Sequence, residues 1–226
     1  MDVRGGESEL TEPQPTVSVA NARRFAAGDF LVLAAAFVAF WWPILSGGQT
    51  LSRSPLASTI HPDVVAEQLG WPVNDSLASA QQDEAWLAFI GRSLGRGEWP
   101  LFNPNNGLGA PLLESLQPGV FYPLNVLLPL LPQGSPWLFD LFSLLHAAVF
   151  LAGLRFLYSR VTSTGMATAL AILVGLSGLT WQNVNMVHFR GLAWCPWLLG
   201  GLLMAVSSPP EFRCAESSSP RSRALA

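Results

Sequence analysis

The feature that most constrains this chain is a run of 21 residues, 25–45, that is almost entirely apolar and follows two arginines. At about 1.5 Å per residue, such a run crosses the roughly 30 Å hydrocarbon core of a bilayer. Asp29 lies in its first turns, near the headgroups, and Trp41 and Trp42 close its far end as interfacial aromatic residues do. Only 12% of the residues are charged, against about 25% in soluble domains, so the composition also indicates a membrane protein.

A cleaved signal peptide is the alternative interpretation of this run, because Ser46, Gly47 and Gly48 follow it and basic residues precede it. The polar leader of residues 1–22 is long for a signal peptide, and the run exceeds a usual apolar region of about 7–15 residues. We therefore predict a retained anchor. Residues 1–22 are acidic and poor in large apolar side chains, so we expect a disordered N-terminus.

Three further apolar runs follow, at 136–158, 166–183 and 189–206. The sequence therefore predicts an all-α integral membrane protein with about four transmembrane helices and a membrane domain over residues 23–206. Gly175 and Gly178 in the third span are expected to be close-packing positions. The polar residues 207–226 are expected to form a disordered tail.

The arginines favour a cytoplasmic N-terminus. With that orientation eight of the twelve basic residues, all of them arginine, face the cytoplasm and four face outside. The long segment 46–135 then forms an extracytoplasmic loop. The net charge of −3 gives no indication of a nucleic-acid partner, so membrane lipid is the partner that the composition predicts.

Two parts of this loop are apolar enough to form helices. Residues 82–94 place Trp86, Phe89 and Ile90 at helical spacing, opposite Asp83 and other charged residues, so we predict an amphipathic helix. It either lies in the interface plane or packs against the rest of the loop. Residues 120–132 are apolar but contain three prolines, which favours an interfacial or re-entrant segment over a regular span.

The loop also contains a series of short motifs. They are Asn74-Asp75, the helix at 82–94 with its Gln and Trp, Gly97-Glu98-Trp99-Pro100-Leu101-Phe102-Asn103-Pro104, Gly109-Ala110-Pro111-Leu112-Leu113, Gln117, and Phe121-Tyr122-Pro123-Leu124-Asn125. With the helix that carries His146 and the stretch 193–197, they resemble the bacterial YfhO family of membrane proteins. That family belongs with the GT-C superfamily of polyprenyl-phosphate-sugar-dependent glycosyltransferases. The resemblance covers roughly residues 25–206 and is most specific in the loop.

The resemblance implies a GT-C-like architecture in a bacterial inner membrane, crossed several times. A polyprenyl-phosphate-linked sugar would be the donor, and the sugar would pass, with inversion, to an acceptor outside the cytoplasm. Asp75 would then be the catalytic base. The family's second aspartate is absent near Ser79, and Asp83 or Glu84 is the candidate replacement. Family members have many more spans, so the chain is expected to correspond to an N-terminal part, with a genuinely short protein as the alternative.

Other candidates follow from the chemistry of individual side chains. Amides in an apolar context need hydrogen-bond partners, which are either sugar hydroxyls or neighbouring backbone. Tyr122 either stacks on a sugar ring or anchors at the interface, and Arg190 either binds a lipid phosphate or anchors likewise. His146 in mid-span is either functional or a packed, hydrogen-bonded structural residue. The predicted substrate-binding set is Asn103, Gln117, Tyr122, Asn125, His188 and Arg190.

No resident cofactor is predicted, since Cys195 and Cys214 have no zinc spacing. A divalent cation beside a phosphate is the metal role that an acidic outer loop would suit, and a solvated acidic surface is the simpler interpretation. Two alternatives to a glycosyltransferase stay open. One is a non-catalytic module that binds lipid-linked glycan or a partner, and the other is a transporter or flippase.

Overall fold

The computed structural model describes residues 27–52, 79–105, 108–130 and 135–207, so the predictions for 1–22 and for the tail from 208 onward lie outside it. The first half contains α1 (Ala27–Leu45), a π-helical turn (Ser79–Asp83), α2 (Glu84–Gly95), strands β1 (Phe102–Asn103) and β2 (Ala110–Pro111), α3 (Leu112–Ser115) and a 3₁₀ helix (Pro123–Leu130). The second half contains α4 (Pro136–Tyr158), α5 (Thr164–Gly175), α6 (Gly178–Asn183), α7 (Val187–Leu192) and α8 (Cys195–Ser207).

Three helical stretches within these ranges are long and apolar enough to cross a bilayer. They are α1, α4 and the stretch Val187–Ser207, which joins α7 to α8. The chain is therefore a mostly helical protein with membrane-spanning helices, as the composition predicts. Helix α4 is the central one, because 67% of its most apolar 18-residue window is buried, against 17% for α1 and 22% for Val187–Ser207.

The prediction of one continuous helix over 166–183 is wrong. Helix α5 has 12 residues, about 18 Å, and ends at Gly175. Ser177 then adopts an extended conformation, with φ −80° and ψ 166°, and begins the short helix α6 as its N-cap. The segment Gly175-Leu176-Ser177-Gly178 contains two glycines and a capping residue, which together favour an interruption.

Helices α5 and α6 together run alongside α1 in the same direction. The Thr168 hydroxyl in α5 lies 3.4 Å from Asp29 Oδ1 in the first turn of α1. At the other end, the Trp181 ring in α6 stacks on Trp41 with ring centroids 5.0 Å apart and 11° between the planes. The two short helices thus cover most of the length of α1, although neither does so alone.

A buried ion pair joins α1, α4 and α5. Arg155 near the end of α4 is 1% exposed, and its Nη2 lies 2.9 Å from Asp29 Oδ2. Its Nε donates to Thr168 Oγ1 at 2.8 Å. The start of α1 therefore meets the end of α4, so the two helices are antiparallel. Sequence reasoning placed both charges at the interface, but the structure pairs them with each other.

The opposite end of α4 is tied to the chain that follows α1. Asp140 Oδ1 accepts the Leu51 N–H at 2.7 Å and the Thr50 hydroxyl at 3.0 Å. Asp140 is buried. Polar contacts near both ends of α4 therefore fix the position of α1 along α4.

Close helix packing in this fold depends on glycine. A Cβ at Gly175 would lie 2.8 Å from Leu151 Cδ1, so the predicted close contact is confirmed there. Gly178 has nothing within 4 Å, and that prediction is wrong. Sequence reasoning missed Gly153, where a Cβ would lie 2.6 Å from Trp197 Nε1, and Gly200, which packs on Phe156.

Helix α2 packs against the 3₁₀ helix, which was one of its two predicted arrangements. Leu87 and Ile90 of α2 and Leu128 of the 3₁₀ helix are all buried and belong to the same apolar core. The region 120–132 forms no spanning helix within its described residues, as its prolines predict. Asp83, expected on the polar face, is instead buried at the start of α2.

The ion pair gives a first prediction. We expect Asp29→Leu to lower the free energy of unfolding by about 3 kcal/mol, because Arg155 would remain buried without its partner. Replacing both, as Asp29→Leu with Arg155→Met, should restore most of the loss. Thermal unfolding in detergent micelles measures both variants. The exposed pair Arg96–Glu98 is the control, and Glu98→Leu should cost less than about 1 kcal/mol. Equal losses for Asp29→Leu and Glu98→Leu would contradict the assignment.

Candidate functional site

A series of hydrogen bonds connects the segment between α1 and α4 to the centre of α4. The Tyr122 hydroxyl lies 2.6 Å from His146 Nε2, and Trp194 Nε1 donates to the same hydroxyl at 2.8 Å. His146 Nδ1 lies 2.6 Å from the Phe142 carbonyl oxygen. A carbonyl oxygen only accepts, so Nδ1 carries the hydrogen and Nε2 accepts from Tyr122. Each of these hydrogen bonds therefore has a defined donor and acceptor.

His146 is the buried member of this series of hydrogen bonds, whereas Tyr122 is partly buried and Trp194 is 38% exposed. His146 is 1% exposed and lies ten residues from the start of α4 at Pro136, about 15 Å along its axis. Helix α4 has 23 residues, so His146 is near its middle. The loop residue Tyr122 and Trp194 before α8 both reach this depth. The alternative of a packed, hydrogen-bonded histidine fits the observed contacts. Together with Arg190 and Asp83, the residues Tyr122, His146 and Trp194 form a polar cluster.

Arg190 lies beside these hydrogen-bonded residues, and its charge acts on His146. Its guanidinium carbon is 5.3 Å from the centroid of the Phe142 ring, and the side chain is partly buried. Across the ranges that the structure describes, no hydrogen bond or ion pair engages this guanidinium. The charge of Arg190 acts on both Asp83 and Tyr122. A desolvated cation without a close counter-ion is costly unless a ligand compensates it.

Asp83 is the acidic member of the cluster. It is 4% exposed, and its Oδ2 accepts the Val187 N–H at the start of α7 at 2.9 Å. Burial raises the pKa of the Asp83 carboxyl above its ordinary value of 3.8, while Arg190 and the Val187 N–H oppose that rise. Burial likewise raises the pKa of the Tyr122 phenol above 10.0, so its hydroxyl stays protonated near neutral pH and can donate.

The structure thus brings together only part of the predicted site. Tyr122 and Arg190 lie in one cluster, and the exposed His188 is close enough for its charge to act on Asp83. Gln117 is exposed and outside this cluster. Asp75, the predicted base, lies outside the described residues.

The two predicted asparagines have structural contacts. Asn103 Oδ1 accepts the Asn105 N–H at 3.0 Å, and Asn125 Nδ2 donates to the Gly119 carbonyl at 2.6 Å. Both bonds go to neighbouring backbone, which was the alternative to sugar binding. Asn125 Oδ1 is buried without a hydrogen-bond partner in the described part of the chain. Asn125 therefore shapes the turn before the 3₁₀ helix.

Three members of the cluster were not predicted as site residues. His146 had a visible signal, since an ionisable residue in mid-span is a functional candidate. Asp83 was named on the polar face of the amphipathic helix and as a replacement carboxylate, and Trp194 was included only within the stretch 193–197. Their roles depend on contacts across 72 and 104 residues of chain, for which periodicity gives no signal.

A small cavity lies at the Pro136 end of α4. It has a volume of about 370 Å³, and its polar lining residues are Ser52, Glu84 and Ser135. Ser52 Oγ donates to Glu84 Oε2 at 2.6 Å, so these groups bind each other. Within the described ranges, no group of three His, Cys, Asp or Glu side chains is arranged to hold a metal ion.

Comparison with known proteins adds no relative: the sequence matches no protein-family model, no curated protein and no solved structure. The assignment of function therefore depends on the geometry of this cluster and on the loop motifs.

The hydrogen-bond chain gives a second prediction. We expect Tyr122→Phe to lower the free energy of unfolding by about 1–3 kcal/mol, because His146 Nε2 and Trp194 Nε1 would each lose a partner. Tyr158, the other tyrosine of the chain, is the matched control, since its hydroxyl makes no hydrogen bond to the described residues. Thermal unfolding in micelles should show a smaller effect for Tyr158→Phe. Equal effects would contradict the role of the Tyr122 hydroxyl.

Asp83 gives a third prediction, on pH. Because its pKa is raised in the folded state, folding favours the protonated carboxyl, and stability falls as pH rises from about 3.8 through the raised pKa. Asp83→Asn removes this titration and keeps an acceptor for Val187. The stability of Asp83→Asn minus that of the wild type should therefore increase with pH across this window, measured as the difference in Tm. A difference that is flat or decreases would contradict the burial of Asp83.

Proposed function

We propose that this chain is a GT-C-like membrane protein that binds a polyprenyl-phosphate-linked sugar and transfers the sugar to an acceptor outside the cytoplasm. The observation that carries the proposal is the Arg190 guanidinium, which lies beside Tyr122, His146 and Asp83 without a protein partner in the described ranges. The loop motifs that resemble the YfhO family support it independently.

A phosphate suits Arg190 for physical reasons. The guanidinium presents a planar fork of N–H donors that matches phosphate oxygens, and it is more weakly hydrated than an ammonium group. Asp83 offsets its charge only in part, because Asp83 is engaged by the Val187 N–H and its burial disfavours the carboxylate. A phosphate would complete the neutralisation. The Phe142 ring below the guanidinium would hold it toward the ligand.

For topology, we propose a cytoplasmic N-terminus and four crossings. Helix α1 would run outward, α4 inward, α5 and α6 outward as one interrupted crossing, and α7 and α8 inward. The contacts of Asp29 with Arg155 and Thr168, and of Trp41 with Trp181, support this alternation. The arginine distribution supports the orientation. Helix α2 and the 3₁₀ helix would then lie at the outer face, above the Arg190 site.

The proposed reaction is an inverting displacement. The acceptor hydroxyl oxygen forms a bond to the anomeric carbon as the bond from that carbon to the phosphate oxygen breaks. The polyprenyl phosphate leaves with the electron pair, and the hydroxyl proton passes to Asp75 as general base. Arg190 would stabilise the negative charge that accumulates on the leaving phosphate. Tyr122 and His146 would act as positioning residues that hold the loop against the phosphate site.

A transporter or flippase for a lipid-linked glycan is the second candidate. Transporters often combine interrupted helices with polar groups near mid-membrane. The break between α5 and α6 and the depth of the His146 cluster both favour this candidate. It needs no general base, so the role of Asp75 separates the two. A non-catalytic module would bind the lipid-linked glycan and do neither.

The fourth prediction tests the phosphate site and the base together. In nanodiscs, Arg190→Gln should weaken binding of decaprenyl phosphate by about tenfold or more, because a charge-assisted hydrogen bond contributes about 1.5–3 kcal/mol. Arg190→Lys should retain part of the affinity, since it keeps the charge without the fork. Arg96→Gln, at an exposed arginine paired with Glu98, is the control and should bind as the wild type does.

Asp75→Asn should bind decaprenyl phosphate normally and lose transfer from a decaprenyl-phosphate-linked sugar. Binding by the wild type without transfer, but with movement of the lipid across the bilayer, would favour the transporter. Binding with neither activity would favour the non-catalytic module. Equal binding by Arg190→Gln and the wild type would refute the phosphate site.

A further inference from the structure

A second cleft lies on the outer loop, between α2 and the β1–β2 hairpin. Its volume is about 620 Å³, within the roughly 300–1,000 Å³ of ligand pockets. It contains none of the residues of the Arg190 cluster, and the proposed function does not use it. Its lining residues are Gln82, Ala85, Trp86, Ala88, Phe89, Arg92, Asn103 and Asn105.

One wall of this cleft is aromatic. Trp86 and Phe89 lie three residues apart on α2, so they share one side of the helix, and both are partly exposed. Neither ring stacks on another aromatic ring among the residues described, whereas Trp99 packs on Phe121 at 5.5 Å. Leu87 and Ile90 of the same helix are buried in the apolar core. The helix is therefore fixed, and its two rings face the cleft.

The other groups of the cleft are amides and a guanidinium. Asn103 is 7% exposed, and its backbone is held in β1, opposite Ala110 of β2. Its Oδ1 accepts the Asn105 N–H, so the amide is held by the turn and its Nδ2 remains a donor. Arg92 makes no ion pair with any residue in the described ranges. Among the described residues, no carboxylate lines the cleft.

We propose that this cleft binds a neutral oligosaccharide. A pyranose ring has an apolar C–H face, which packs on an aromatic ring, and an edge of hydroxyls that both donate and accept hydrogen bonds. The amides of Gln82, Asn103 and Asn105 also donate and accept, which matches hydroxyls. Arg92 is exposed, so water solvates its charge, and its N–H groups can donate to hydroxyls as well. A fixed aromatic wall opposite amide groups is therefore the recognition chemistry of a sugar. The cleft binds its ligand independently of the Arg190 site.

The test uses the full chain in nanodiscs with three neutral probes: maltotetraose, cellotetraose and chitotetraose. Saturation-transfer NMR should detect saturable binding of at least one of them. Trp86→Ala should weaken that binding by about tenfold, because it removes the larger aromatic face. Asn105→Ala removes an exposed amide that is not part of the core, and it should weaken binding without affecting folding.

Two controls make the result specific. Trp99→Ala removes an aromatic side chain on the same loop that is 64% exposed and does not line the cleft, and binding should be unchanged. Arg190→Gln should also leave oligosaccharide binding unchanged, which separates this cleft from the phosphate site. The proposal is overturned if none of the three probes binds saturably. It is also overturned if Trp86→Ala and Asn105→Ala, with wild-type thermal unfolding, bind as tightly as the wild type.

Discussion

The arrangement of this protein depends on three ionisable side chains of α4 at three depths. Asp140 near its start accepts hydrogen bonds from the chain after α1. His146 near its middle accepts from Tyr122 of the outer loop. Arg155 near its end pairs with Asp29 and Thr168. Because lipid chains are as apolar as leucine, burial alone does not specify how helices meet in a membrane, and polar contacts at fixed heights do.

The contact between Tyr122 and His146 has the largest consequence for the proposed function. By fixing Tyr122 against His146, it brings the outer loop down onto the bundle beside Arg190 and Asp83. A cation and a carboxyl group are then held together in a place where water has limited access and electrostatic interactions are strong. The contact with Trp194 adds the segment before α8 to the same point. Tyr122 is therefore held both by His146 of α4 and by Trp194, so the position of its segment relative to the bundle is fixed.

The sequence alone predicts most of the helices and little of the site. Long apolar runs determine α1 and α4, because length and hydropathy are local properties. Gly175 was predicted only as a close-packing position, and the end of α5 at this residue was not predicted. Glycine is common both at close helix contacts and at helix ends, so its presence does not distinguish them. Burial of Asp83 depends on the Val187 N–H, 104 residues away along the chain. Tyr122 and Arg190 were predicted as binding residues from the chemistry of their side chains, but their proximity is a tertiary property.

The account depends most on the outer loop lying on the extracytoplasmic side. Labelling intact cells with a membrane-impermeant maleimide tests this most directly, in a background with Cys195 and Cys214 replaced by serine. Gln117→Cys, exposed on the loop, should be labelled in intact cells. Ser163→Cys, exposed between α4 and α5, should be labelled only after the cells are permeabilised. The reverse pattern would place the loop in the cytoplasm and contradict the account.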